Sequence, residues 1–165
     1  LVGSEMCIET GYDLTAIGLS MDDNMRAELC AATVENTASA YPEFCGAVLH
    51  SDRGSQYTSD SYRAALNEYG VRQSMNSAGG RCHDNARCES IRGLVTRMKN
   101  ELFYSRGRRS TDYTTEQLKT MIWRYYMSYL NNRRICSSIG GMSPAEKRRR
   151  YYSDKKGKSA AAAME

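Results

Sequence analysis

Residues 47–57 read Ala-Val-Leu-His-Ser-Asp-Arg-Gly-Ser-Gln-Tyr, a short apolar run followed by a carboxylate and a polar turn. The run predicts a buried-type strand over residues 45–50, and Gly54 favours a turn directly after it. Asp52 is therefore expected at the end of a strand. Glu89 follows 37 positions later, near the start of a predicted helix. Two acids presented by rigid elements can hold a divalent metal ion of the kind used in phosphodiester chemistry.

The length and composition of the chain are typical of a globular protein. The chain has 165 residues, of which 41% are hydrophobic and 25% charged. This length suggests one domain, with room for a tail. The sequence contains no long apolar run and no signal-peptide pattern, so we expect a cytoplasmic protein without a membrane span.

The six cysteines do not predict a zinc site. No Cys-x-x-Cys pair occurs, and the only cluster, Cys82-His83 with Cys88, fits no common zinc-ligand spacing. We interpret the cysteines as small reduced thiols, buried or half-buried.

Charge is distributed unevenly along the chain. Residues 1–80 carry four arginines and eleven acids, whereas residues 81–150 carry sixteen Lys or Arg and six acids. The net charges of these segments are therefore −7 and +10. The second half is a candidate polyanion-binding surface, although solvated helix faces would produce the same composition.

The order of predicted elements indicates an α/β fold. Strands and helices alternate in the first half, which argues for a three-layer core, and the second half is helical. The predicted strands cover residues 14–21, 45–50 and 71–75. The predicted helices cover residues 25–40, 59–69, 84–104 and two segments that begin after Thr114 and Ser143.

The tyrosines of the helix after Thr114 allow two interpretations. Tyr125 and Tyr129 fall at helical spacing with Leu118 and Ile122, which predicts that both are core residues. Tyrosines in a basic segment can instead stack on bases. The spacing favours the core assignment.

Several separated motifs resemble bacterial insertion-sequence transposases of the DDE type, which have a retroviral-integrase-like catalytic core. The resemblance covers about residues 8–150. The matching segments, in chain order, are residues 23–26, 50–59, 73–75, 79–90, 129–134 and 141–146.

The resemblance implies a ribonuclease-H-like three-layer core, here lacking its first strand, followed by a helical C-terminal region. It further implies metal-dependent DNA transposition with Mg²⁺ or Mn²⁺ held by Asp52 and Glu89, DNA as partner, and a homo-oligomer on DNA in the bacterial cytoplasm, associated with the nucleoid. The expected divisions are a truncated core (1–105), a helical extension (106–152) and a flexible tail (153–165). A non-catalytic DNA-binding or assembly fragment is the alternative.

The sequence departs from the family pattern at the first catalytic aspartate. The family carries that acid on its first core strand, and residues 7–14 resemble the second strand, so the first is expected before residue 1. Glu5, Glu9 and Asp13 are acids in the right half of the chain, but none has the motif. We therefore expect this chain alone to be catalytically incomplete.

The remaining candidate residues concern DNA. The resemblance and the local charge point to five DNA-contacting side chains: Arg53, Gln56, Lys99, Arg133 and Arg134. Each has a structural alternative, such as turn capping for Gln56 and a solvated helix end for the two C-terminal arginines. The family commonly places a lysine seven positions after the glutamate, where this chain has Thr96; Lys99 lies ten positions after it.

Overall fold

The computed structural model describes residues 4–76 and 86–162, with the backbone alone for residues 86–92, 94 and 156–162. Four strands are found in this part of the chain: β1 (Ser4–Glu9), β2 (Ala16–Asp22), β3 (Val48–Ser51) and β4 (Arg72–Met75). The helices are α1 (Ala27–Ala40), α2 (Ser55–Thr58), α3 (Asp60–Glu68), α4 (Ala86–Leu102), α5 (Thr115–Trp123), a π-helical continuation of α5 (Arg124–Leu130) and α6 (Pro144–Ala162).

Strands β1 and β2 form an antiparallel hairpin. Ile8 pairs with Gly18 and Glu9 with Ala16, so Ile17 is an extra residue that forms a β-bulge. Strand β1 runs from Ser4 to Glu9, so it begins before the segment 7–14 that the sequence suggested as a strand and ends within that segment. That assignment was wrong because residues 10–15 form the turn, where the Thr10 hydroxyl donates to Asp13 and the Thr10 N–H donates to the Thr15 carbonyl at 3.0 Å.

Strands β3 and β4 form a second, parallel sheet. Their register pairs Val48 with Arg72 and Ser51 with Met75, and the crossover runs through α2 and α3. The prediction that β3 is a buried-type strand was wrong, since Val48 is 55% exposed and His50 is also exposed. Helices cover only one face of this sheet among the described residues, so side chains alternate between core and solvent.

No strand hydrogen bonds join the two sheets within residues 4–76 and 86–162. Both nevertheless contribute to one apolar core under α1, which includes Ile8 and Ile17 from the first sheet and the partly buried Leu49 from the second. Residues of β1 and β3 line one cavity of about 230 Å³. This arrangement agrees with the predicted α/β class.

A second core lies on the other face of the hairpin. Alternate residues of β1 reach the two sides: Met6 and Ile8 join the core under α1, whereas Cys7 packs against the second core. The buried members of this core are Ala16, Met98, Phe103, Leu118, Ile122, Tyr125, Tyr126 and Leu130. The predicted helical extension thus shares a core with the sheet.

The π-helical segment explains one wrong prediction. Tyr125 is buried as expected, but Tyr129 is 42% exposed and Tyr126 is fully buried. A π-helix has i→i+5 hydrogen bonds and so fewer turns than an α-helix for the same number of residues. The α-helical spacing that placed Tyr125 and Tyr129 in the core therefore fails after Trp123.

The C-terminal helix begins as predicted. Pro144 is its first residue, and the Ser143 hydroxyl accepts a hydrogen bond from the Glu146 N–H at 3.3 Å. The helix continues to Ala162, beyond the start of the predicted tail at residue 153. Within the part of the chain that the structure describes, no helix is long and apolar enough to cross a membrane.

Candidate active site

Asp52 follows the last residue of β3, as the sequence predicts. Its Oδ1 accepts a hydrogen bond from the Gly54 N–H at 2.9 Å, which fixes the carboxylate over the first turn after the strand. Gly54 precedes α2, and a Cβ at this position would lie only 2.6 Å from the Gln56 side-chain amide. A side chain at position 54 would therefore displace the flexible Gln56 amide.

The carboxylate of Asp52 lies near α1. Burial raises the pKa of the Cys30 thiol to about 11, and the negative charge of Asp52 contributes to the same shift. Cys30 is fully buried and stays protonated at neutral pH. It is thus a core residue rather than a reactive thiol.

His50 connects β3 to β4 and the chain after it. Its Nδ1 lies 2.9 Å from the Ser74 hydroxyl, and its Nε2 lies 2.9 Å from the side-chain oxygen of Asn76. Both ring nitrogens are therefore engaged within the protein. Arg53 reaches the same point, donating from Nε to the Asn76 carbonyl at 2.6 Å. The two side chains hold Asn76 beside the turn that carries Asp52.

Gln56 and the neighbouring Tyr57 lie in α2. Gln56 is half-buried, and its carbonyl accepts a hydrogen bond from the Ser59 hydroxyl at 2.9 Å. The Tyr57 carbonyl accepts from the Gln73 side chain at 2.6 Å, which ties α2 to β4. These contacts are structural, and the DNA-binding role of Gln56 and Arg53 stays a prediction.

Glu89 lies in α4, close to its beginning at Ala86, as the sequence predicts. Its side chain is outside the described residues, as are Asp84, Asn85 and the pair Cys82-His83. In the described part of the chain, no three His, Cys, Asp or Glu side chains come together as a possible metal site. Asp52 is a hard oxygen donor of the type that Mg²⁺ and Mn²⁺ prefer, so it fits such a metal as one ligand of several.

Glu5 and Glu9, two of the three acids considered in place of the first catalytic aspartate, lie on β1. Both are on the face opposite the α1 core. Burial raises the pKa of Glu9 to about 7, although the charge of Arg97 opposes the shift. Burial likewise raises the pKa of Glu5, against the opposing charge of Lys99. Lys99, which was predicted to bind DNA, is thus half-buried near an acid of the first strand.

Asp13, the third alternative, has a structural function in the hairpin turn. It is 4% exposed, and Arg148 of α6 donates from Nε to its Oδ2 at 2.7 Å. Burial alone would raise the pKa of Asp13, but hydrogen bonds from Arg148, Thr10 and Thr15 lower it below its ordinary value. This carboxylate is therefore committed to holding α6 against the hairpin.

Arg133 and Arg134 are neighbours in the chain but differ in their exposure to solvent and in their side-chain contacts. Arg134 is bound to Glu101, with Nε and Nη2 donating to Oε1 at 3.2 and 3.0 Å, and its side chain is only 19% exposed. Arg133 is exposed. The structure thus leaves Arg133 on the surface, whereas Arg134 joins the end of the π-helical segment to α4. DNA binding by either stays a prediction.

Sequence reasoning missed Arg148 and Glu101 as the partners that fix Asp13 and Arg134. The first pair is separated by 135 residues and the second by 33, and neither separation matches a local spacing rule. Only the arrangement of the elements brings these charges together.

Comparison with known proteins finds relatives among the transposases of insertion sequences. Residues 11–80 match the family model of the integrase core domain. The chain is 39% identical over 108 residues to the transposase for insertion sequence element IS629 of Shigella sonnei, covering 65% of this chain and 33% of that protein. It is 38% identical over 105 residues to a putative transposase InsK for element IS150 of Escherichia coli, covering 64% and 34%. The chain is a homologue of insertion-sequence transposases.

This transposase homologue spans about a third to a half of the length of the curated relatives it matches. Over 145 residues it is 30% identical to the IS600 uncharacterized 31 kDa protein of Shigella sonnei, covering 88% of this chain and 50% of that protein. Its fold resembles the integrase catalytic core domain of HTLV-2, with a TM-score of 0.52 and 10% identity over 87% of this chain and 91% of that chain. It also resembles a chain of a simian T-cell lymphotropic virus intasome, with a TM-score of 0.56 and 10% identity, covering 86% and 51%.

Proposed function

We propose that this transposase homologue provides part of the catalytic region for DNA transposition by metal-dependent polynucleotidyl transfer. One observation carries the proposal: the Gly54 N–H fixes the Asp52 carboxylate at the end of β3, inside the segment that matches the integrase core domain. Asp52 and Glu89 are the proposed ligands of Mg²⁺ or Mn²⁺.

The chemistry of each group follows from its type. A bound divalent metal would stabilise negative charge on the phosphate and the leaving oxygen. The Asx turn at Gly54 sets the direction of the Asp52 carboxylate before any substrate arrives. Arg53 and His50 both hold Asn76, so the chain leaves β4 at a fixed point beside Asp52. These residues position charge, which is what phosphoryl transfer chiefly requires of a protein.

We further propose that the chain alone is catalytically incomplete. Among the described residues, no three His, Cys, Asp or Glu side chains come together as a possible metal site, and Asp13 is bound to Arg148. Purified protein with donor DNA and Mn²⁺ is therefore expected to give no cleavage. Robust cleavage that Asp52→Ala abolishes would contradict this statement.

A chimera separates an incomplete enzyme from an inactive one. The segment of the Shigella sonnei IS629 transposase that precedes its matched region is fused before residue 1. We expect Mn²⁺-dependent cleavage that Asp52→Asn and Glu89→Gln each abolish. Asp60→Asn is the matched control, because the Asp60 side chain is fully exposed on α3. Cleavage that survives both active-site substitutions would refute the assigned ligands.

A non-catalytic DNA-binding or assembly role is the second candidate. The exposed arginines after α4 favour it, with Arg106, Arg108 and Arg109 all on the surface. We expect salt-dependent duplex binding that survives the double variant Asp52→Ala with Glu89→Ala. Arg133→Gln should reduce the slope of log K against log salt by about 0.9. No salt-dependent binding at all would exclude this role.

The remaining expectations extend the same proposal. The acting species is a homo-oligomer on DNA in the bacterial cytoplasm, associated with the nucleoid. The proposed division is a core over residues 1–105, a helical extension over 106–152 and a tail over 153–165. Sedimentation of the chimera with and without DNA tests the oligomer, since a monomer under both conditions would contradict it.

A further inference from the structure

A groove lies where the end of α4 meets α5 and its π-helical continuation. Its volume is about 470 Å³, within the range of roughly 300–1,000 Å³ that is typical of ligand sites. Leu102 and Met121 contribute apolar surface. Arg106, Arg124 and Tyr129 also line it. Apolar, aromatic and cationic side chains are therefore gathered in one concave surface.

The π-helical geometry puts two of these side chains on one side. In an α-helix, residues five positions apart are rotated by about 140° from each other. The i→i+5 hydrogen bonds of a π-helix instead place residue i+5 about one turn above residue i. Arg124 and Tyr129 are five apart in the π-helical segment, and both line the groove. An α-helix would turn one of them away.

The acid in the groove wall is already neutralised. Glu101 Oε2 accepts a hydrogen bond from the Tyr125 hydroxyl at 2.9 Å, and its Oε1 accepts from Arg134 at 3.0 Å. Arg106 and Arg124 are exposed and form no ion pair with any side chain in the described part of the protein. The groove therefore presents net positive charge to a ligand.

Tyr129 supplies an aromatic surface beside these charges. It is 42% exposed, and its ring leans on Tyr125 with the ring centroids 5.5 Å apart. Tyr125 is buried and its hydroxyl donates a hydrogen bond to Glu101, so the ring against which Tyr129 packs is held in place. A partly exposed ring held against a fixed neighbour is suited to stacking on a base.

We propose that this groove binds single-stranded DNA, with Arg106 and Arg124 contacting phosphates and Tyr129 stacking on an unpaired base. The inference rests on the proposed function, because it takes DNA to be the substrate. It assigns the strand to a surface that shares no residue with the Asp52 turn. Bases in a duplex are already stacked on one another, so stacking on Tyr129 selects for single strands.

The test measures binding of the full chain to a fluorescent single-stranded DNA of about 16 nucleotides and to the matching duplex. Tyr129→Ala should weaken single-strand binding roughly tenfold, and Tyr129→Phe should leave it within about twofold. Duplex binding should not change in either variant. Tyr152→Ala is the matched control, since Tyr152 is also exposed but lies on α6.

Charge is tested separately from stacking. Arg106→Gln and Arg124→Gln should each reduce the single-strand salt slope by about 0.7. Arg63→Gln, which removes an exposed arginine of α3, should leave the slope unchanged. A DNA containing 5-iododeoxyuridine should crosslink to Tyr129, as mapped by mass spectrometry. The Tyr129→Phe and arginine variants keep the test meaningful if Tyr129→Ala fails to fold.

The possible failures are distinguishable. Single-strand binding that is unchanged in Tyr129→Ala would overturn the groove assignment while leaving duplex binding, and hence the proposed function, intact. Absence of binding to both DNA forms by the unsubstituted chain would overturn both. A self-association that Tyr129→Ala abolishes without any effect on DNA would show that a second copy occupies the groove, and would also overturn the inference.

Discussion

The side chain of Asn131 forms two hydrogen bonds with the backbone of Ala16, 115 residues earlier in the chain. Its Oδ1 accepts from the Ala16 N–H and its Nδ2 donates to the Ala16 carbonyl, both at 2.9 Å. Ala16 lies beside the bulge at Ile17, where the pairing with β1 becomes irregular. Asn131 therefore supplies hydrogen-bond partners for a buried peptide at the point where the hairpin ladder is disrupted. The contact joins the end of the π-helical segment to the first sheet.

Replacing Asn131 should be costly. Asn131→Ala leaves the buried N–H and carbonyl of Ala16 without these partners, so we expect the free energy of unfolding to fall by about 2–4 kcal/mol. Urea denaturation measures the change. Asn132→Ala is the matched control, because Asn132 is exposed and donates to the nearby Ser128 carbonyl of the same helical segment; its effect should stay below about 1 kcal/mol. Equal effects of the two substitutions would contradict a special role for Asn131.

Gly18 permits close packing of β2 on α1. A Cβ at Gly18 would lie 2.1 Å from Thr37 Oγ1, and that hydroxyl is already bonded to the Thr33 carbonyl. We expect Gly18→Ala to destabilise the protein by about 1–3 kcal/mol, because the β-branched Thr37 cannot move aside.

Gly93→Ala provides the opposite control for Gly18→Ala. Gly93 lies within α4, and no atom of the residues that the structure describes lies within 4 Å of a Cβ added there. Alanine there should stabilise the protein by about 0.5–1 kcal/mol through helix propensity. Thermal unfolding of both variants checks the pair. Similar Tm values for the two variants would show that a side chain at Gly18 does not disturb the packing of β2 on α1.

The ion pair of Asp13 with Arg148 should matter more than that of Glu146 with Arg150. Asp13 is buried, so Arg148→Gln leaves a carboxylate without its charged partner, and we expect a loss of about 2–3 kcal/mol. Glu146 and Arg150 form an exposed pair, and Arg150→Gln should cost less than about 0.5 kcal/mol.

The contribution of Asp13 should depend on pH. Its pKa is lower in the folded state, so the stabilisation is present above the pKa of the unfolded state and disappears as the pH falls through the folded value. The difference in stability between the parent and Arg148→Gln should therefore shrink in acid. A difference that does not change between pH 7 and the acid limit of folding would refute this linkage.

Glu9 should produce the opposite pH dependence. Its pKa is raised to about 7, above the value of 4.5 for an unperturbed glutamate. Between these values the folded state binds more protons than the unfolded state, so stability should fall as the pH rises. Glu9→Gln should remove this slope and be more stable than the parent at pH 8 by roughly 1–3 kcal/mol. Denaturation at pH 5 and pH 8 measures it, with Glu68→Gln on the exposed end of α3 as control. A parent protein equally stable at both values would contradict the prediction.

Local chemistry made several elements predictable. Thr114 and Gln117 form a capping box at the predicted start of α5, and the Ser143-Pro144 pair starts α6 where it was predicted. These signals involve neighbouring residues, so their geometry depends little on the rest of the fold. The prediction for Tyr129 failed because it depended on the period of the helix, which local residues did not fix. The prediction assumed the α-helical period throughout. The segment in which Tyr125 and Tyr126 pack against the hairpin is π-helical instead.

The sequence by itself determined the resemblance to insertion-sequence transposases, the position of Asp52 after a strand, the start of most helices and the basic character of the second half. Each of these is encoded by residues close together in the chain or by the order of motifs. Only the tertiary structure decided which charges are available: Arg134 and Arg148 are bound to Glu101 and Asp13, whereas Arg106, Arg124 and Arg133 are exposed. The physical reason is that desolvation and pairing depend on contacts across the fold, which residue identity and spacing do not specify.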